Sequence, residues 1–190
     1  STNAFPGPAL DTAEIYDPVA GTFRALTARL RSPRVQHTAT LLADGKVLLA
    51  GGQADTNDGD GVATAELFDP TTQTFTSLAA SMASPRGGHA ATLLPSGKVL
   101  LVGGFNRGAG TLKSDAELYD PVARTFAALS AKMLLLTEGH RATLLPDGKV
   151  LITGGAASNS IRLVPELFDP VAQTLSASSR IIGSRSASGR

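Results

Sequence analysis

One histidine recurs at almost constant spacing along this chain, and it brings the same neighbours each time. His37, His89 and His140 are separated by 52 and 51 residues and are the only histidines present. Each opens a cassette: HTATLLADGKVLLAGG, HAATLLPSGKVLLVGG and HRATLLPDGKVLITGG. The cassettes end in the pairs Gly51-Gly52, Gly103-Gly104 and Gly154-Gly155. A second landmark occurs four times, as AEIYDP, AELFDP, AELYDP and PELFDP, carrying Glu14, Glu66, Glu117 and Glu166. Its aromatic is Tyr16, Phe68, Tyr119 or Phe168, and five residues past each proline stands Phe23, Phe75, Phe126 or, in the last copy, Leu175. Seven of the nine aromatic residues fall at these two positions, so the large apolar side chains belong to a repeated core. A period near 50 restricts the chain to architectures in which one supersecondary unit stacks on copies of itself.

Each unit parses into four short strands. The first, TATLL in the first cassette, runs into a turn whose last copy reads Leu145-Pro146-Asp147-Gly148. Proline presets φ, aspartate bonds its own backbone and glycine accepts positive φ, which predicts a tight hairpin. The second strand, KVLLAGG, is almost continuously apolar, as expected of a strand covered on both faces. A variable loop leads to the third strand, which Asp-Pro terminates because proline has no N–H to give. A short turn and a fourth strand such as TFTSL close the unit. Four strands per period, without helical periodicity, predict an all-β fold of β-propeller blades.

The Gly-Gly strand end, the Glu-x-Tyr/Phe-Asp-Pro strand and the aromatic on the fourth strand together resemble the kelch repeat, from about residue 10 to 177. The D-G-K-V-L-x-x-G-G spelling is more similar to bacterial kelch proteins and galactose-oxidase-like propellers than to animal adaptor proteins. The fourth-strand tryptophan of the commoner kelch form is replaced by phenylalanine, and by Leu175 in the final copy. The resemblance implies kelch-type blades of four antiparallel strands in a single propeller region over 1–190. Residues 1–30 form a half-blade of strands three and four, 36–80, 88–130 and 139–177 are full blades, and 178–190 is a tail. That makes about 14 strands. Propellers close with about four to eight blades, so a partial ring is expected, or one completed by a second copy or another chain.

Composition removes several function classes. There is no cysteine, hence no disulfide, thiolate metal site or Cys nucleophile. A net charge of +1, with scattered basic residues, leaves no electrostatic footprint for nucleic acid. Apolar runs are only a few residues long, against the roughly 20 that span a bilayer, and no signal-peptide pattern opens the sequence. The family resemblance alone places the protein outside the cell or at its surface.

Candidate sites divide into repeated and unrepeated residues. The three histidines are of a metal-ligating type, yet equivalent positions on successive blades lie a blade apart, and the expected role is a hydrogen bond to neighbouring backbone. The glycine pairs lack the following helix that a phosphate loop needs. The repeated glutamates are expected in inter-blade hydrogen bonds or salt bridges, since a catalytic pair is singular. Outside the repeat, the loop DTNDGDG offers Asp55, Asn57, Asp58 and Asp60, hard oxygen ligands of the kind calcium takes. The EF-hand pattern fails there, with Gly at its fifth position and Asp at its sixth, and exposed turns share that composition. Calcium is the one cofactor candidate. Asn106, Arg107 and Lys113 in the second variable loop and Arg162 in the third join them as candidate binding residues, because variable loops on a repeated frame are where recognition resides.

The function expected is a non-catalytic kelch-type binding or scaffold module that recognises a protein or glycan through these loops. Two alternatives stand beside it. One is a fragment of a galactose-oxidase-like copper oxidase, whose resemblance implies two Tyr, two His and a Tyr-linked Cys. Here Cys is absent, and the tyrosines, Tyr16 and Tyr119, occupy repeat positions. The other is a structural subunit that self-associates through its open half-blade.

Overall fold

The computed structural model describes residues 8–54, 61–134, 137–156 and 164–178. Those residues form an all-β arrangement of 16 strands in antiparallel sheets. No helix among them is long and apolar enough to cross a membrane. The first sheet is a hairpin of β1 (Glu14–Asp17) and β2 (Thr22–Ala25). Three four-stranded units follow. The first consists of β3 (Thr38–Leu41), β4 (Val47–Ala50), β5 (Ala65–Asp69) and β6 (Thr74–Ser77). The second consists of β7 (Ala90–Leu93), β8 (Val99–Val102), β11 (Asp115–Asp120) and β12 (Thr125–Lys132), and the third of β13 (Glu138–Leu144), β14 (Val150–Ala156), β15 (Glu166–Asp169) and β16 (Thr174–Ala177). Each unit is a meander in chain order.

The register repeats with the sequence. Val47 pairs with Phe68, Val99 with Tyr119 and Val150 with Phe168, so equivalent residues meet in every unit. The Pro-Asp-Gly turn forms as its residues dictate: Gly148 adopts φ +83° and its N–H donates to Leu145 O at 2.9 Å. The Asp-Pro turns are pinned from both sides. Asp69 accepts Thr71 N–H through one carboxylate oxygen and Lys46 Nζ, at 2.7 Å, through the other; Lys98–Asp120 and Lys149–Asp169 repeat the ion pair.

The count exceeds the expected 14 because the second variable loop carries its own small ladder, β9 (Phe105–Asn106) paired with β10 (Thr111–Leu112). The second unit also runs past its expected end, to Lys132, and the third begins at Glu138. Of the expected tail, residues 179–190 lie outside the described residues.

Core packing follows from strand alternation. Leu48 and Ala50 point one way from β4 and pack with Val99, Leu101 and Tyr119 of the next unit. Leu100 and Val102 point the other way from β8, onto Val150, Ile152 and Phe168. Sheets therefore stack face to face, and β8, sandwiched between two of them, is buried along its whole length. By contrast, β14 alternates between buried and half-buried over residues 150–153 and reaches exposed positions at Gly154 and Ala156, since one of its faces meets no further sheet among the described residues. Tyr119 and Phe168 are fully buried, whereas Tyr16 is 51% exposed and Phe23 69% exposed, because β1 has no inner strand beside it among the described residues. The first strands lie side by side, β3 by β7 and β7 by β13, so one end of every unit faces the same side. No ring closes among the described residues.

Candidate functional site

The histidines and glycine pairs meet at the joints between units. Each glycine pair ends a second strand, and each histidine stands where a first strand begins. A Cβ on Gly51 would lie 2.8 Å from His89 Cε1 of the next unit, and one on Gly103 would lie 2.5 Å from His140 Cε1. The second glycine of each pair faces its own unit: a Cβ on Gly104 would meet His89 Cβ at 2.9 Å, and one on Gly155 would meet His140 Cβ at 3.1 Å. The dipeptide thus clears space for two imidazoles, one from each side.

The rings are hydrogen-bonded across the joint. His89 Nε2 lies 2.9 Å from Thr38 Oγ1 of the preceding unit. His140 Nε2–H donates to Val102 O at 3.0 Å, which leaves Nδ1 to accept from the Thr137 hydroxyl at 3.2 Å. The residue before each histidine completes the joint in left-handed backbone: Gln36, Gly88 and Gly139 have φ of +56°, +60° and +69°. Gly88 N–H donates to Gln36 O at 2.9 Å, and Gly139 N–H donates to Gly88 O at 2.8 Å. A chain of backbone hydrogen bonds passes from unit to unit.

All three imidazoles are held neutral. Burial lowers the pKa of His89 to about 3, with the nearby Arg86 charge adding to the shift; burial and then Arg34 lower His37, and burial lowers His140. Their folded pKa values lie below the unfolded value near 6.5, so the unfolded chain takes up more protons as pH falls. Stability from this source is complete above about pH 6.5 and declines below it. Between pH 7.5 and 5, His89 alone is expected to withdraw about 2 kcal/mol, at roughly 1.4 kcal/mol per pH unit below 6.5. Urea unfolding at the two pH values checks this: the midpoint falls in the native protein and falls less in H89Q. An unchanged native midpoint refutes it.

Beneath the joints lie the repeated glutamates, at 1–2% exposure for Glu66, Glu117 and Glu166. Glu66 accepts Arg31 N–H at 2.9 Å, Ser32 N–H at 3.2 Å and the Arg34 guanidinium at 2.9 Å. Glu117 repeats this with Ala83, Ser84 and Arg86, and Glu166 accepts Leu134 N–H. They clamp the connection that leads into the first strand. Glu14, whose strand has no inner neighbour among the described residues, is exposed. The two buried arginines escaped the sequence reading. Their signal is Ser-Pro-Arg at 32–34 and 84–86, three residues before the histidine, where the last copy has Thr137.

The joint end opens into a concavity of about 640 Å³, lined by the three histidines, Gln36, Gly88 and Gly139, with Arg107 and Glu138 also bordering it. Arg107 lies over the Phe105 ring, 5.7 Å from its centroid. Of the three loop candidates among the described residues, Arg107 alone reaches this concavity. Asn106 is buried and accepts Gly61 N–H at 3.0 Å, which makes it a loop brace, and Lys113 lies away from the concavity. Asp55, Asn57, Asp58, Asp60 and Arg162 lie outside the described residues, and the calcium candidate with them. Among the described residues, no three His, Asp or Glu side chains come together as a metal site.

No family model matches the chain, and no curated protein matches it. Among solved structures, that of YjhT is similar, with a TM-score of 0.72 at 14% identity, covering 94% of this chain and 67% of that one. At that identity the likeness is one of fold alone, an all-β succession of antiparallel sheets.

Proposed function

We propose that the chain is a kelch-type β-propeller segment acting as a non-catalytic binding module, with its recognition surface at the joint end of the units. The propeller reading is supported by adjacent first strands, face-to-face sheets and a hydrogen-bonded chain of equivalent residues, which are what radial repetition requires.

The observation that carries the binding reading is where the repeat breaks. At the opposite end of the units lie two smaller crevices, of about 390 and 310 Å³, that are copies of each other. Lys149, Asp169 and Val171 in one stand where Lys98, Asp120 and Val122 stand in the other. They belong to the frame. The joint-end concavity has a repeated histidine floor, but Gln36 stands where the other units have Gly88 and Gly139, and Glu138 where they have Val35 and Gly87. Gln36 holds φ +56°, a conformation that costs an L-residue about 1–2 kcal/mol and glycine almost nothing. Unrepeated polar groups on a rigid repeated floor are the composition of a recognition site.

Glycan and peptide arrays probed with the protein test this. Specific spots are expected, and they disappear with R107A but persist with K98A at the opposite end. No specific spot, or equal loss with both variants, refutes the reading.

A further inference from the structure

The concavity carries two opposite charges that are not spent on each other. Arg107 and Glu138 both line it, yet neither enters an ion pair among the described residues. Elsewhere in the described fold, Arg29, Arg34, Arg86, Lys46, Lys98 and Lys149 are paired with carboxylates, while Arg24, Arg31, Lys113, Arg124, Lys132 and Arg141, like Arg107, enter no ion pair. What sets Arg107 and Glu138 apart is that they share one opening. The Arg107 guanidinium carbon lies over the Phe105 ring at a cation–π distance of 5.7 Å, a contact that uses none of its N–H donors and leaves them for an acceptor. Glu138 lies in the third unit, at the start of β13, while Arg107 comes from the loop of the second. Separate elements hold the two groups at one opening.

The imidazoles of the same lining add no net charge. His89 is neutral with its pKa near 3, and Nε2 of His89 and of His140 is occupied at the joints. Among the described lining residues, a ligand therefore meets one cation, one anion and the Gln36 amide, which both donates and accepts.

We infer that the concavity takes a small zwitterion, a ligand with an ammonium group for Glu138 and a carboxylate for Arg107, with a short peptide bearing free termini as its occupant. This rests on the joint-end binding reading and narrows it. A cavity of about 640 Å³ falls within the range for small-molecule sites, about 300–1,000 Å³, and accommodates a tripeptide. Charge-assisted hydrogen bonds at both ends discriminate against any ligand lacking one of the charges.

The chain's three histidines make the test direct, because their ring resonances report on the concavity floor. Titrations follow these resonances with triglycine, N-acetyl-triglycine, triglycine amide and the uncharged sugar maltotriose. Triglycine is expected to shift them, and blocking either terminus to weaken binding about tenfold or more. In E138Q the penalty for N-acetylation disappears, and in R107Q that for C-amidation disappears, both variants keeping the native spectrum elsewhere. If blocked and free peptides bind alike, or maltotriose alone shifts the resonances, the zwitterion inference is overturned while the binding site stands. If no probe, maltotriose included, shifts them, the inference and the joint-end reading fall together.

Discussion

Replacing Arg86 with methionine is expected to destabilise the protein by about 3–5 kcal/mol, the range for removing one partner of a buried ion pair. The side chain is fully buried, and its guanidinium is fully committed. It donates to Gly103 O at 2.8 Å, Asp115 O at 3.0 Å and Glu117 Oε1 at 2.9 Å, and also pairs with the Asp115 carboxylate. Methionine fills much of the volume but leaves Glu117 with only the Ala83 and Ser84 N–H groups, and leaves the buried Gly103 O and the part-buried Asp115 O without this donor. The connection those groups hold leads directly to His89, so the loss reaches the joint. R86K separates charge from geometry: it keeps the cation but loses the planar fork, and should recover only part of the deficit. R34M should behave like R86M, since Arg34 makes the same contacts to Gly51 O, Thr64 O and Glu66. Urea unfolding of the variants decides the matter; a loss below about 1 kcal/mol for R86M shows that the pair is incidental.

That arginine also shows what the sequence could and could not reveal. Strand order and register were legible because period and alternation act locally: each KVLL run must bury both faces, and each Asp-Pro must stop a ladder. Recurrence is also what led the glutamates to be expected in structural hydrogen bonds, and Glu66, Glu117 and Glu166 accept N–H groups of the connections before the first strands. The clamp's other half was not legible, because Thr137 interrupts the Ser-Pro-Arg pattern in one of three copies, and a two-copy motif is easily read as chance. The concavity was harder still. Gln36 and Glu138 sit in short connections with no periodicity of their own, and only stacking brings them to the same opening as Arg107 from the next loop. The extra β9–β10 ladder illustrates the same limit, since two-residue strands carry no alternation to read.

The glycine pairs allow the joint to be tested with nearly all else held constant. Gly51, Gly103 and Gly154 occupy the same place in three units and have similar left-handed backbones, with φ of +64°, +64° and +72°. Alanine at any of them incurs the left-handed penalty of about 1–2 kcal/mol. Their surroundings differ. A Cβ on Gly51 would lie 2.5 Å from Arg86 O, a carbonyl already fixed by accepting Gly52 N–H at 2.9 Å. On Gly103 the obstacles are His140 Cε1 at 2.5 Å and Met133 Sδ at 3.0 Å, side-chain atoms with more freedom to retreat. On Gly154 nothing among the described residues lies within 4 Å. Overpacking of this kind adds about 1–3 kcal/mol. Unfolding measurements are therefore expected to rank G51A as the most damaging at about 2–5 kcal/mol, then G103A, with G154A near the left-handed penalty alone. The His89 ring resonance should move in G51A and the His140 resonance in G103A, each reporting its own joint. Equal losses in all three would mean that backbone strain alone explains the glycines, and that the histidine seats contribute nothing to holding successive units together.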